Sequence, residues 1–179
     1  MRICLLVHAH PALSRGGGET AAWREMHALR AAGHEAVMIA AAEHPPAEWP
    51  ALPAGESLYA LAAMEADRLG WAEEEARQEV LARLLATRAE VFHLHHLWRV
   101  GLDLVAALRA ARPQARLVLT LHEMLPICAH HGQMIRTTDQ GLCEAASPAA
   151  CTACFPDRPE AHFALRRAAS WRRSNCSTW

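Results

Sequence analysis

The sequence predicts an α/β fold with a mostly parallel sheet, and three observations carry that expectation. Ile3-Cys4-Leu5-Leu6-Val7 is a short continuous apolar run, the pattern of a strand buried on both faces. A glycine-rich turn, a helical stretch, Gly33 and a second apolar run follow it in the order of a strand-helix-strand unit, whose crossover should be right-handed. Helical and strand-like segments then alternate as far as Leu121.

Taken in order, Ile3–Val7 is the first strand, followed by a loop holding Pro11 and Gly16, Gly17 and Gly18. From Glu19 to Ala32, Ala22, Trp23, Met26 and Leu29 keep helical spacing, and Gly33 sits where a C-terminal cap belongs. Ala36–Ala40 is the second strand, and the proline-bearing stretch 43–56 reads as a loop. Ala72–Thr87 forms a helix with Ala76, Val80, Leu84 and Leu85 as its buried stripe. Val91–His95 is a third strand, Leu102–Ala111 a helix turning Leu104, Val105 and Leu108 inward, and Arg116–Leu121 a fourth strand after Pro113. Residues 123–158 hold four cysteines and no clean period, and 159–173 reads as a final helix.

Composition narrows the functional classes. A chain of 179 residues, 52% hydrophobic and 21% charged, is a globular domain with a real core. Its net charge of -1 gives no electrostatic case for nucleic acid. All 18 basic residues are Arg, which biased composition explains as well as any preference for anions. No stretch approaches the roughly 20 apolar residues of a spanning helix, and MRICLLVHAH lacks the pattern of a signal peptide. The expectation is a cytoplasmic protein whose cysteines are thiols or metal ligands rather than disulfides.

In an open parallel sheet, ligands bind beyond the carboxyl ends of the strands. There the sequence places His8 and His10 with the glycines, His95 and His96, and the pair His122-Glu123. One histidine in such a place is most often structural; three histidine-bearing strand ends directed at one crevice suit proton transfer or donation to a phosphate or sugar hydroxyl. The glycine run does not match the dinucleotide fingerprint, which argues against an NAD-type oxidoreductase, and no Lys follows it to make a P-loop. What remains is a loop of little bulk feeding N–H groups into a helix start, a general anion site. Glu19 there also complements the helix dipole. Trp23 reads as core, Trp98 equally as core or as a sugar platform, and Arg99 as a solvated loop residue.

The stretch MRICLLVHAHPALSRGGGETAAWREMHALRAAGHEAVMI resembles the opening of glycosyltransferase family 4: strand, glycine-rich turn (Gly17, Gly18, Glu19), helix, then Gly33-His34-Glu35. VFHLHHLWRVGLDLVAAL and LVLTLHEMLPICAHHGQM, with Gly141, Cys143 and the Cys151/Cys154 pair, are similar to the family's next two units, so the resemblance spans 1–168. It implies the N-terminal, Rossmann-like half of a GT-B fold, with a Cys-rich insertion over about 123–158 and an atypical tail at 169–179. The implied activity is retaining transfer of a sugar from a nucleotide-sugar to a glycan, lipid or small-molecule acceptor, with no metal needed for chemistry. Peripheral membrane contact in the intact enzyme and a C-terminal partner domain belong to the same implication.

By resemblance, His122 lies near the transferred sugar as the catalytic candidate, and Gly16, Gly17 and Gly18 approach the donor phosphates. His95, His96, Trp98 and Glu123 join the substrate pocket. Glu123 stands where many members carry Asp. The acidic E-x7-E signature of the donor domain has only chance counterparts, Glu48/Glu56 and Glu65/Glu73, so the expectation is a truncated frame, inactive alone. Cys128, Cys143, Cys151 and Cys154, spaced C-x14-C-x7-C-x2-C, are candidate ligands of a structural zinc. The alternative function is a non-catalytic binding module carrying that zinc knuckle. Cys4, inside a strand, reads as core.

Overall fold

A computed structural model describes residues 1–14, 16–42, 48, 50–60, 74–96 and 101–165. The described residues divide into two compact units, one up to residue 122 and the other from residue 123 onward.

The first unit is a five-stranded, all-parallel sheet. Its elements are β1 (Arg2–Val7), α1 (Gly17–Ala31), β2 (Glu35–Ala42), β3 (Glu56–Ala60), α2 (Glu74–Ala86), β4 (Val91–His95), α3 (Leu102–Ala111) and β5 (Arg116–Thr120). The strand order is β3-β2-β1-β4-β5, so the sequence of strands reverses between β1 and β4. This is the α/β, Rossmann-like architecture expected of the sequence.

The continuous apolar strands are explained by two cores, one on each face. Ile3, Leu5, Val7, Ala36, Met38 and Ala40 meet Ala22 and Met26 of α1, with Trp23 and Leu29 packed alongside. Full burial of Met26 contributes about 1.5–3 kcal/mol toward docking α1 on that face. Cys4, Leu6, Ile39, Phe92 and Leu94 point the other way, onto Val80 and Leu84 of α2 and Leu104 and Leu108 of α3. Burial pushes the Cys4 thiol up to about 12, as an inert core group requires.

Two elements depart from the sequence reading. β3 was not expected; it is short, follows the proline-bearing stretch, and opens on a buried acid, Glu56. The glycine run is not wholly a loop either: Gly16 is the N-cap of α1, and Gly17 and Gly18 form its first turn. The helix ends as predicted. Gly33 (φ +83°) follows the cap, its N–H reaching Arg30 O and the His34 N–H reaching Leu29 O, both at 3.0 Å, a Schellman closure.

In the second unit α4 (Pro148–Cys154) is capped by Ser147, whose Oγ accepts from the Ala150 N–H at 3.1 Å. An antiparallel bridge joins Ile135 to Leu142, and the Thr137 hydroxyl donates to Cys154 O at 2.6 Å. Residues 160–165 are helical; the remainder of the predicted final helix and the tail 169–179 lie outside the described residues.

Candidate functional site

The reversal between β1 and β4 forces the loops leaving those strands apart, and the space between them is where such a sheet holds a ligand. His8 leaves β1 and His96 leaves β4, and their rings meet edge to face with centroids 4.2 Å apart. His122, just past β5, stacks on His96 at 5.2 Å and on His95 at 5.4 Å. Four of the histidines expected at strand ends therefore share one site. His95 and His96 are buried, whereas His122 is exposed and free to face a ligand.

The glycines fit around this cluster in three different ways. A Cβ on Gly18 would lie 3.2 Å from His96 Cδ2 and Nε2 and 3.4 Å from His122 Cδ2, so the bare backbone permits the rings to approach the helix start. A Cβ on Gly16 would collide with the Glu19 carboxylate, which folds back over the N-cap from the third helical position, as in a capping box. A Cβ on Gly17 would meet nothing within 4 Å, and Gly17 is exposed.

Glu19 itself is buried and stands 3.3 Å from His8 Nε2 while accepting from the Ser14 hydroxyl at 3.0 Å. Burial alone would raise its carboxyl. The hydrogen bonds from His8, its own backbone N–H and Ser14, with the charge of His8, outweigh that and hold it at about 2.

Burial pushes the imidazoles the other way. His96 is lowered to about 3, by burial first and then by His8 and His122. His95 is lowered by burial and by His93, and His122 by burial and then His8. All three are neutral at pH 7, so they act as hydrogen-bond donors and acceptors rather than as cations. His96 also has φ +107°, a strained value for a side chain of this kind.

His10, expected in the same crevice, has a structural task. Its Nδ1 accepts from the Ala12 N–H at 3.0 Å, so a neutral ring carries its proton on Nε2 and donates it to Glu56 Oε2 at 2.9 Å. This buried pair ties the loop after β1 to β3.

A second set of residues was not foreseen. His93 and His95 alternate on β4 and so share the face covered by α1, where Glu25 reaches both. Glu25 Oε1 is 2.7 Å from His93 Nδ1 and Glu25 Oε2 is 3.1 Å from His95 Nε2. His93 Nε2 bonds Thr120 Oγ1 at 2.8 Å, and His95 Nδ1 bonds His122 Nε2 at 3.1 Å. The H-x-H spacing was the available signal; Glu25 looked like an ordinary charge beside the helix stripe.

Glu123 belongs to the second unit, where a Cβ on Gly132 would abut its Cγ. Trp98 and Arg99 lie outside the described residues. Cys128 is buried, Cys143, Cys151 and Cys154 are half-buried, and none of the four is joined in a disulfide. Among the described residues, Glu25, His93 and His95 are the group of three His, Cys, Asp or Glu near enough to share one ion; the four cysteines form no such group.

Fold and site together define a parallel α/β domain with a cluster of histidines at its topological switch point. The sequence model for Glycosyltransferase Family 4 matches residues 15–171, and the chain belongs to that family. No curated protein and no solved structure matches it. Among the described residues no helix is long and apolar enough to cross a membrane.

Proposed function

We propose that residues 1–179 form the acceptor-side half of a retaining glycosyltransferase, which moves a sugar from a nucleotide-sugar to a glycan, lipid or small-molecule acceptor. The observation that carries this reading is the convergence of His96 and His122 on Gly18, at the N-terminus of α1 and at the switch point of the sheet. A helix start stripped of side chains offers N–H groups to a diphosphate, and neutral imidazoles beside it suit sugar hydroxyls.

In this reading the exposed His122 is the catalytic residue nearest the sugar. Its Nε2 is engaged by His95, so Nδ1 remains to meet a hydroxyl. Gly17 is the closest approach for donor phosphates, and His95 and His96 line the pocket floor. The nucleotide-sugar is held chiefly by a second Rossmann-like domain, so the 179 residues do not transfer sugar by themselves, and the transfer chemistry needs no metal. The test is sugar transfer by this chain joined to a donor-binding domain. Turnover that requires both parts supports the reading, and absence of turnover with every nucleotide-sugar and acceptor class contradicts it.

A further inference from the structure

We propose that Glu25, His93 and His95 form a binding site for a divalent transition-metal cation of the zinc type. The ligand atoms of the three residues lie within 4.8 Å of one another, and the two oxygens of Glu25 divide between the two rings at 2.7 and 3.1 Å. A four-coordinate zinc with bonds of about 2.0–2.2 Å needs ligand atoms about 3.3 Å apart, so the carboxylate–imidazole contacts would open slightly and the widest separation, up to 4.8 Å, would close around the ion. Two imidazoles and one carboxylate suit zinc, not the all-oxygen shell of calcium or magnesium.

Two further observations point the same way. His95 is 2% exposed, and its Nε2, 3.1 Å from Glu25 Oε2, does not meet hydrogen-bond geometry there, so a buried ring nitrogen faces the carboxylate without a bond to it. The other nitrogen of each ring is already engaged, His93 Nε2 with Thr120 Oγ1 and His95 Nδ1 with His122 Nε2. Metal-binding histidines are held by such outer hydrogen bonds, and a bound ion would replace the hydrogen bond between His93 Nδ1 and Glu25 Oε1 at 2.7 Å and release its proton.

A bound ion would place the His95 proton on Nδ1, facing His122 Nε2, and so leave the His122 proton on Nδ1. The ion thereby sets the tautomer of His122 without entering the sugar chemistry. Binding itself does not depend on the role proposed for His122 above.

The experiment is titration of the full chain, stripped by chelator, with Zn²⁺, read by equilibrium dialysis and metal analysis, and with Co²⁺, read by visible absorption. One equivalent is expected to bind wild-type protein and a Cys128→Ser, Cys143→Ser, Cys151→Ser, Cys154→Ser variant alike. Glu25→Gln and His93→Gln should each weaken binding at least tenfold while the metal-free proteins melt cooperatively. The ion should also raise the melting temperature of the wild type, since it binds only the folded form. Absence of stoichiometric binding overturns the proposal. So does binding that survives both Glu25→Gln and His93→Gln, or that is lost on removing the cysteines.

Discussion

The rings of His96 and His122 stack with centroids 5.2 Å apart, and both lie against the bare Cα of Gly18. The three adjacent glycines should therefore respond to alanine in three ways. Gly18→Ala gains up to about 1 kcal/mol of helix propensity and spends it on crowding the rings, so stability stays near wild type while the His96 and His122 imidazole resonances move. Gly17→Ala should leave those resonances in place and hold or raise the melting temperature, yet weaken transfer by the assembled enzyme, because its methyl enters the space assigned to phosphate. Gly16→Ala displaces the Glu19 carboxylate and should cost about 0.5–2 kcal/mol, as loss of a cap does. Uniform effects at all three positions, in melting and histidine NMR, would contradict this division.

Glu19 makes the fold acid-sensitive in a defined window. Its carboxyl is held at about 2 against an ordinary 4.5, so its contribution is complete above about pH 4.5 and is lost as pH falls through about 2. Glu19→Gln should cost about 1–3 kcal/mol at pH 7, where a charged partner of His8 and Ser14 is removed. The stability gap between variant and wild type should narrow steadily from pH 5 to pH 2 in urea unfolding. A gap that stays constant over that range would falsify the assignment.

His96 holds a positive φ that glycine adopts freely and alanine does not. Both His96→Gly and His96→Ala lose the contact with His8, but only the first relieves the backbone. His96→Gly should therefore be the more stable of the two by about 1 kcal/mol, the reverse of the usual order. Denaturant midpoints compare them directly, and equal stability, or alanine ahead, contradicts the strain.

The parallel sheet and its strand-end histidines were legible because apolar runs and a capped helix fix the path of the chain, and the path fixes where His8, His95, His96 and His122 emerge. The tasks of individual residues were less so. Glu25 sits next to the inward stripe of α1, and only the packing of that helix against β4 turns it from a surface charge into the partner of His93 and His95. Glu56 was hidden for a related reason: β3 is too short to announce itself, and its buried acid becomes intelligible only beside His10. The glycines were visible, but their distinct neighbours depend on where Glu19 and the two rings settle. The spacing of the four cysteines was equally visible, and among the described residues it does not bring three of them within metal-ligand distance of one another.

The most direct test of the central claim is sugar transfer by this chain joined to a donor-binding domain, compared with the same enzyme carrying His122→Ala. His122 is exposed, so the variant should keep the wild-type melting temperature within a degree or two while turnover falls about 10²–10⁴-fold, the range lost with a proton-transferring group. Wild-type turnover in the folded variant would contradict the place given to His122 and the reading of the crevice built around it.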